Sequence, residues 1–223
     1  MNKLILLFLI GFHFQLFSQN QSRISLENTI RDIDGNVYKT VKIGKQIWMA
    51  EDLYVTKFND GTAIRKLNVN SYEEEYESNF DKYEGLHKLQ TPILITPINS
   101  KRTIYNWYVV HSNRNVCPTG WHIPIPEEWD ALESYVESTL TNDKEEIGAK
   151  LKSEMGYNGF GEGTDEFGFN ALPINSSGVA WWAISNNGNN VMSPGIAVED
   201  DSWAYGIINK TTFDPLSIRC LKD

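Results

Sequence analysis

Four aromatic residues late in the chain stand among amides and acids. Trp181, Trp182, Trp203 and Tyr205 occur with Asn186, Asn187, Asp200 and Asp201. Carbohydrate sites combine these types: an aromatic face stacks on the sugar ring, and amides and carboxylates bond its hydroxyls. The adjacent pair is the most telling. In a strand, Trp181 and Trp182 must face opposite sides. One can fill a core; the other then needs a second layer or a ligand. The eight residues are the candidate ligand site. Glu199, Asp200 and Asp201 offer calcium a weak set of oxygens, and no other cofactor is indicated.

Other chemistry is poorly supported. Of the four histidines, His13 lies in an apolar leader, and His87, His111 and His122 are scattered. His111, Cys117 and His122 match no zinc spacing and lack a fourth ligand, so no metal site is expected. No two carboxylates are singled out for glycoside hydrolysis. No GxxxxGK[ST] accompanies the glycine-rich segments, which leaves no phosphate cradle. The chain is expected to be no enzyme.

"MNKLILLFLIGFHFQLFSQ" carries Lys3 and then an apolar run from Leu4 to Phe17. This is the pattern of a secretory signal peptide over residues 1–19. The run falls short of the roughly 20 apolar residues of a membrane span. A linker over 20–28 and one domain over 29–223 are expected, with no transmembrane segment after cleavage. The product is expected outside the cell or on its surface. A formal charge of −9 disfavours nucleic acid as a partner. An extracellular glycan or protein is the expected one. In an oxidising compartment the two cysteines, Cys117 and Cys220, read as a disulfide.

The elements follow from local pattern. "TIRDIDGNVYKTVKIGKQIWMAEDL" (29–53) alternates β-branched residues around turns at Asp34-Gly35 and Gly44-Lys45, which predicts two hairpins. Asp32, Asp34 and Asn36 faintly suggest a cation loop, but the calcium-loop spacing does not continue. Residues 57–103 are an irregular, polar insertion in which Glu73, Glu74 and Glu75 read as a solvated face. "TIYNWYVV" (103–110) is a buried strand or a short helix. Pro126 followed by Glu127 and Glu128 starts a helix. Its apolar stripe is Trp129, Leu132, Tyr135 and Val136, and it ends near residues 140–142. A second short helix is expected over 145–153. Strands are expected at 169–172, 179–184, 204–208 and 217–221.

Seven segments carry a resemblance: "DIDGNVYKTVKIGKQIWMAEDL", "YNWYVV", "CPTGWHIPIPEEWDALE", "GAKLKS", "GTDEFGFNALP", "WW" and "SIRCLKD". In order and character they resemble the Fibrobacter succinogenes major paralogous (FISUMP) domain. That resemblance implies an exported bacterial surface protein. More distantly, "WHIPIPEEWDALE" and "SIRCLKD" resemble the formylglycine-generating group. Both resemblances imply an α+β, C-type-lectin-like fold, with small twisted antiparallel sheets, two helices and long irregular loops. In that fold a cysteine before the first helix bonds one in the last strand, the places of Cys117 and Cys220. A formylglycine-generating activity would need thiols held for copper, and none remains. The resulting expectation is a non-catalytic binding module for an extracellular glycan or protein. The alternative is a structural or adhesive surface protein without a small-molecule site.

Overall fold

The computed structural model describes residues 28–68, 93–96, 103–141, 146–155, 163–173, 178–184, 190–197, 201–209 and 215–223. The leader, the linker up to residue 27, and Glu73, Glu74 and Glu75 lie outside the described residues. The architecture is α+β and mostly antiparallel.

The two hairpins form as their turn residues dictate. β1 (Thr29–Arg31) pairs with β2 (Val37–Ile43), and β2 with β3 (Gln46–Met49). Gly44 opens the second turn at φ 59°, and the Tyr135 ring would lie 2.8 Å from any Cβ placed there. Both facts demand glycine. In the first turn, Asp32 is a structural acceptor and no cation loop forms. Its carboxylate takes Asn36 N and Nδ2, each at 2.9 Å, and the buried Tyr38 hydroxyl at 2.6 Å.

The hairpins belong to a five-stranded sheet in the order β1-β2-β3-β11-β7. β7 is Trp121–His122 and β11 is Leu221–Lys222. The strand expected at 217–221 is therefore mostly irregular chain that ends in a short strand. A three-stranded sheet, β4 (Arg65–Asn68), β5 (Ile93–Thr96) and β6 (Ile104–Tyr105), draws part of the insertion into the fold. Residues 103–110 supply both a strand and a helix, α1 (Trp107–Val110). A third sheet has the order β10-β9-β8, made of β8 (Gly178–Ala180), β9 (Asn190–Ala197) and β10 (Trp203–Asn209). The strand expected at 169–172 is only an isolated bridge from Ala171 to Lys152.

The main helix, α2 (Pro126–Glu137), starts as predicted. Pro126 takes the first position, and Glu128 Oε2 reaches back 2.9 Å to accept from Ile125 N. The helix buries Trp129, Leu132 and Val136. Tyr135 remains 42% exposed and leans on Gly44 and Phe167. A short α3 (Ile147–Leu151) follows. Among the described residues, no helix is long and apolar enough to cross a membrane.

Two apolar cores result. One gathers Tyr38, Met49, Tyr105, Cys117, Trp182 and Cys220 with their neighbours. The other gathers Trp48, Trp129, Phe169, Trp181, Ile196 and Leu221. Consecutive residues go to different cores: Trp48 and Met49, Trp181 and Trp182, Cys220 and Leu221. Strand geometry, with its period of two, sends neighbours to opposite faces.

Candidate functional site

The disulfide stands at the first core. Cys117 and Cys220 are bonded, their Cα atoms 5.9 Å apart. Asn59 Nδ2 donates to Cys117 O at 2.6 Å, and Met49 N donates to Cys220 O at 3.1 Å. The sulfurs therefore join the chain just before β7 to the strand beside it.

Neither tryptophan of the predicted pair is available to a ligand. Trp181 and Trp182 are both fully buried. The second layer comes from the chain itself, because each ring enters its own core. Trp182 Nε1 donates to Tyr105 O at 2.7 Å, and Trp181 Nε1 donates to Asp52 Oδ1 at 2.8 Å. Asp52 was not singled out by sequence. Its carboxylate also accepts from Ser217 Oγ at 3.0 Å and from Arg219 Nε and Nη2 at 2.8 and 2.6 Å. Arg219 is buried, donates through Nη1 to Phe169 O, and lies over the Phe169 and Trp181 rings. An ion pair this enclosed holds only because every polar atom finds a partner.

Asp201 is likewise occupied. Its carboxylate pairs with Lys152, whose side chain is fully buried. The Asp201 backbone is pinned at φ 58°, and its carbonyl accepts from Gly148 N at 3.1 Å. A calcium ion at Asp201 would compete with the buried Lys152 ammonium for the carboxylate. Glu199, Asp200, Asn186 and Asn187 lie outside the described residues.

Two members of the predicted set do come together at the surface. Trp203 and Tyr205, alternate residues of β10, are half-buried on one face of their sheet. Their rings meet edge to face at 6.2 Å. Behind them runs an aromatic ladder: Trp203 to Trp181 at 6.5 Å, Trp181 to Trp129 at 5.4 Å, Trp129 to Trp48 at 4.6 Å. Stacking on these buried rings fixes the outer pair. The acids beside them come from α2 rather than from late loops. The Tyr205 hydroxyl lies 2.7 Å from Asp130 Oδ1 and 3.2 Å from Glu133 Oε2. It has one proton for the two acceptors. Burial, then the bond to Asp130, push the Tyr205 hydroxyl's pKa well up. Burial and the charges of Asp130 and Glu137 hold the Glu133 carboxyl above its ordinary value, against the Tyr205 hydrogen bond. The signal in the sequence was the i, i+3 spacing of Asp130 and Glu133 on a helix whose start was legible.

The zinc spacing rejected from the sequence is not assembled either. Cys117 is bonded to Cys220. His111 stacks on Trp107 at 3.8 Å. His122 lies between two carboxylates, Nδ1 at 2.6 Å from Asp223 and Nε2 at 2.9 Å from Glu128. Burial opposes its charge, but the bonds to Asp223 and Glu128 outweigh that and raise its pKa. Among the described residues, no three metal-ligating side chains converge.

The family model of the Fibrobacter succinogenes major domain matches residues 41–222. The chain belongs to that family. The match runs from within β2 to β11 and so takes in the second core, the buried residues of the first core other than Tyr38, the disulfide and the Trp203–Tyr205 surface of this Fibrobacter succinogenes major domain. No curated protein and no solved structure matches the chain.

Proposed function

We propose that this Fibrobacter succinogenes major domain is an exported, non-catalytic binding module that recognises an extracellular glycan through Trp203 and Tyr205. The observation that carries this reading is the half-buried aromatic pair, backed by a buried ladder and flanked by the Asp130 and Glu133 carboxylates. A sugar ring could stack on the indole while its hydroxyls donate to the carboxylates. The leader at residues 1–19 and the buried disulfide favour a site of action outside the cytosol. The reading carries no chemical step: both cysteines are bonded to each other, and both His122 nitrogens face carboxylates. A C-type-lectin-like fold, with boundaries at 29–223, agrees with antiparallel sheets and a disulfide from the approach to α2 to the final strand.

A glycan array probed with the mature, oxidised protein tests the reading, with calcium and again with a chelator. Binding that Trp203→Ala abolishes, and that Trp182→Phe leaves intact, supports the Trp203–Tyr205 surface. Binding that survives Trp203→Ala moves the site elsewhere. A silent array on folded protein overturns the glycan reading in favour of the second one, a structural or adhesive surface protein. The burial of Trp181 and Trp182 favours that second reading, since it removes two rings from the ligand face. Chelator sensitivity would implicate Glu199 and Asp200.

A further inference from the structure

Among the described residues, β10 has a strand on one side only, β9. Pro194 shows which backbone groups face which way. Its carbonyl accepts from Trp181 N at 2.9 Å, so Pro194 faces β8. In an antiparallel strand both polar groups of a residue point to the same side, and successive residues alternate. Ser193 and Gly195 therefore face β10, opposite Gly206 and Ala204. Trp203, Tyr205, Ile207 and Asn209 then turn their N–H and C=O groups outward. Among the described residues, no backbone group pairs with that outer side.

Exposed edges of this length are normally guarded by charge, proline or a bulge. "WAYGIIN" contains no charged residue and no proline. It also contains a glycine that its own chain does not require. Gly206 has no left-handed φ. A Cβ there would meet nothing nearer than Ser193 O at 3.9 Å. Glycine weakens a strand interior and commonly marks the close approach of another backbone. Among the described residues, no backbone beyond β9 makes that approach.

We propose that the outer edge of β10 pairs antiparallel with the β10 of a second copy of this chain, with Gly206 on the two-fold axis. Gly206 faces β9, so against its symmetry mate it forms the pair without hydrogen bonds, where Cα atoms come within about 4.5 Å. The absent side chain suits that place. In this register Trp203 opposes Asn209 of the second copy and Tyr205 opposes Ile207. Their outward groups form roughly eight ladder bonds. An uncharged strand meets itself without repulsion, and the contact is self-complementary as a two-fold interface must be. The sheet β8-β9-β10 becomes six-stranded, and Trp203 and Tyr205 keep their places on one face.

Sedimentation velocity of the oxidised mature chain, without ligand and over a range of concentrations, is the test. The wild type is expected to show a concentration-dependent dimer. Gly206→Val places a branched Cβ at the two-fold pair and should abolish the dimer, while monomer Tm is kept or raised, because the site has room. Ile207→Pro removes one outward N–H and should also give monomer. Amide exchange of the wild type decides the matter without a variant: the Trp203, Tyr205 and Ile207 amides should slow as concentration rises. A wild type that stays monomeric at every soluble concentration overturns the proposal. So does a dimer that survives Gly206→Val, or a dimer whose β10 amides exchange as in the monomer. No ligand enters these measurements, so their outcome is separate from that of the glycan array.

Discussion

On one side of β3 and β11 the chain is held by a covalent bond; on the other it is held by a buried ion pair. Cys117 and Cys220 close the first core, where the polar contacts are spread over separate groups: Trp182 Nε1 donates to Tyr105 O, the Tyr105 hydroxyl to Val55 O and the Tyr38 hydroxyl to Asp32. The second core is built around Asp52 and Arg219, with Trp181 and Ser217 donating to the same carboxylate. A disulfide acts largely on the unfolded chain, by shrinking its freedom. The Asp52 cluster acts wholly in the folded state and depends on every partner being present. One side should tolerate imperfect packing around its staple. The other should fail as a unit.

Asp52→Ala is expected to give the largest effect. It leaves the Arg219 guanidinium buried without its carboxylate, at a cost of about 3–5 kcal/mol. Urea unfolding measures this, and a loss under about 1 kcal/mol would mean that Arg219 finds another acceptor. Next comes the bridge. Replacing both cysteines by Ala opens a loop of 103 residues. The expected loss is about 2–5 kcal/mol, read in the same titration. Retained stability under reducing conditions would show that the first core holds without its staple.

The two tryptophans compare the faces directly. Trp181→Phe removes a bond to a charged acceptor and should cost roughly 1.5–3 kcal/mol beyond packing. Trp182→Phe removes a bond to a neutral carbonyl and should cost roughly 0.5–1.5 kcal/mol. Equal losses would erase the distinction drawn between the two cores. The smallest effect belongs to His122. Its folded pKa lies above the ordinary 6.5, so its contribution is complete below that value and disappears as pH rises through the folded pKa. With a third of the side chain exposed, the contribution stays under about 1 kcal/mol. The Tm difference between wild type and His122→Gln should be present at about pH 5.5 and shrink towards about pH 9. A difference constant across that range would show that imidazolium charge is not involved.

What sequence could convey divides along the same line as the two cores. The hairpins were legible because Gly35 and Gly44 mark turns and the flanking residues alternate. The start of α2 was legible because Pro126, Glu127 and Glu128 signal a helix by local rules. The disulfide needed only a count of two cysteines and the expectation of an oxidising compartment. Asp52 could not be read, since it sits in an ordinary acidic pair with Glu51 and its partner Arg219 is 167 residues away. Lys152, within the segment expected as a short helix, is buried against Asp201, a contact that no local pattern signals. Trp181 and Trp182 were correctly sent to opposite faces by strand period. Which face met a second layer depended on the pairing of distant segments. β9 was hidden by its composition: Asn190 and Pro194 argue against a strand. Pro194 is tolerated because its carbonyl alone bonds towards β8, at Trp181 N.

The placement of β11 sets the order in which this molecule can be completed. The strand lies between β3 and β7, yet it is formed by residues 221–222, after every other described element. While the chain is being synthesised, β3 lacks the strand that pairs with its outer edge, and Cys117 lacks its disulfide partner. The sheet closes only when the last strand arrives. Until then the sheet lacks its fourth member and Cys117 stays a free thiol.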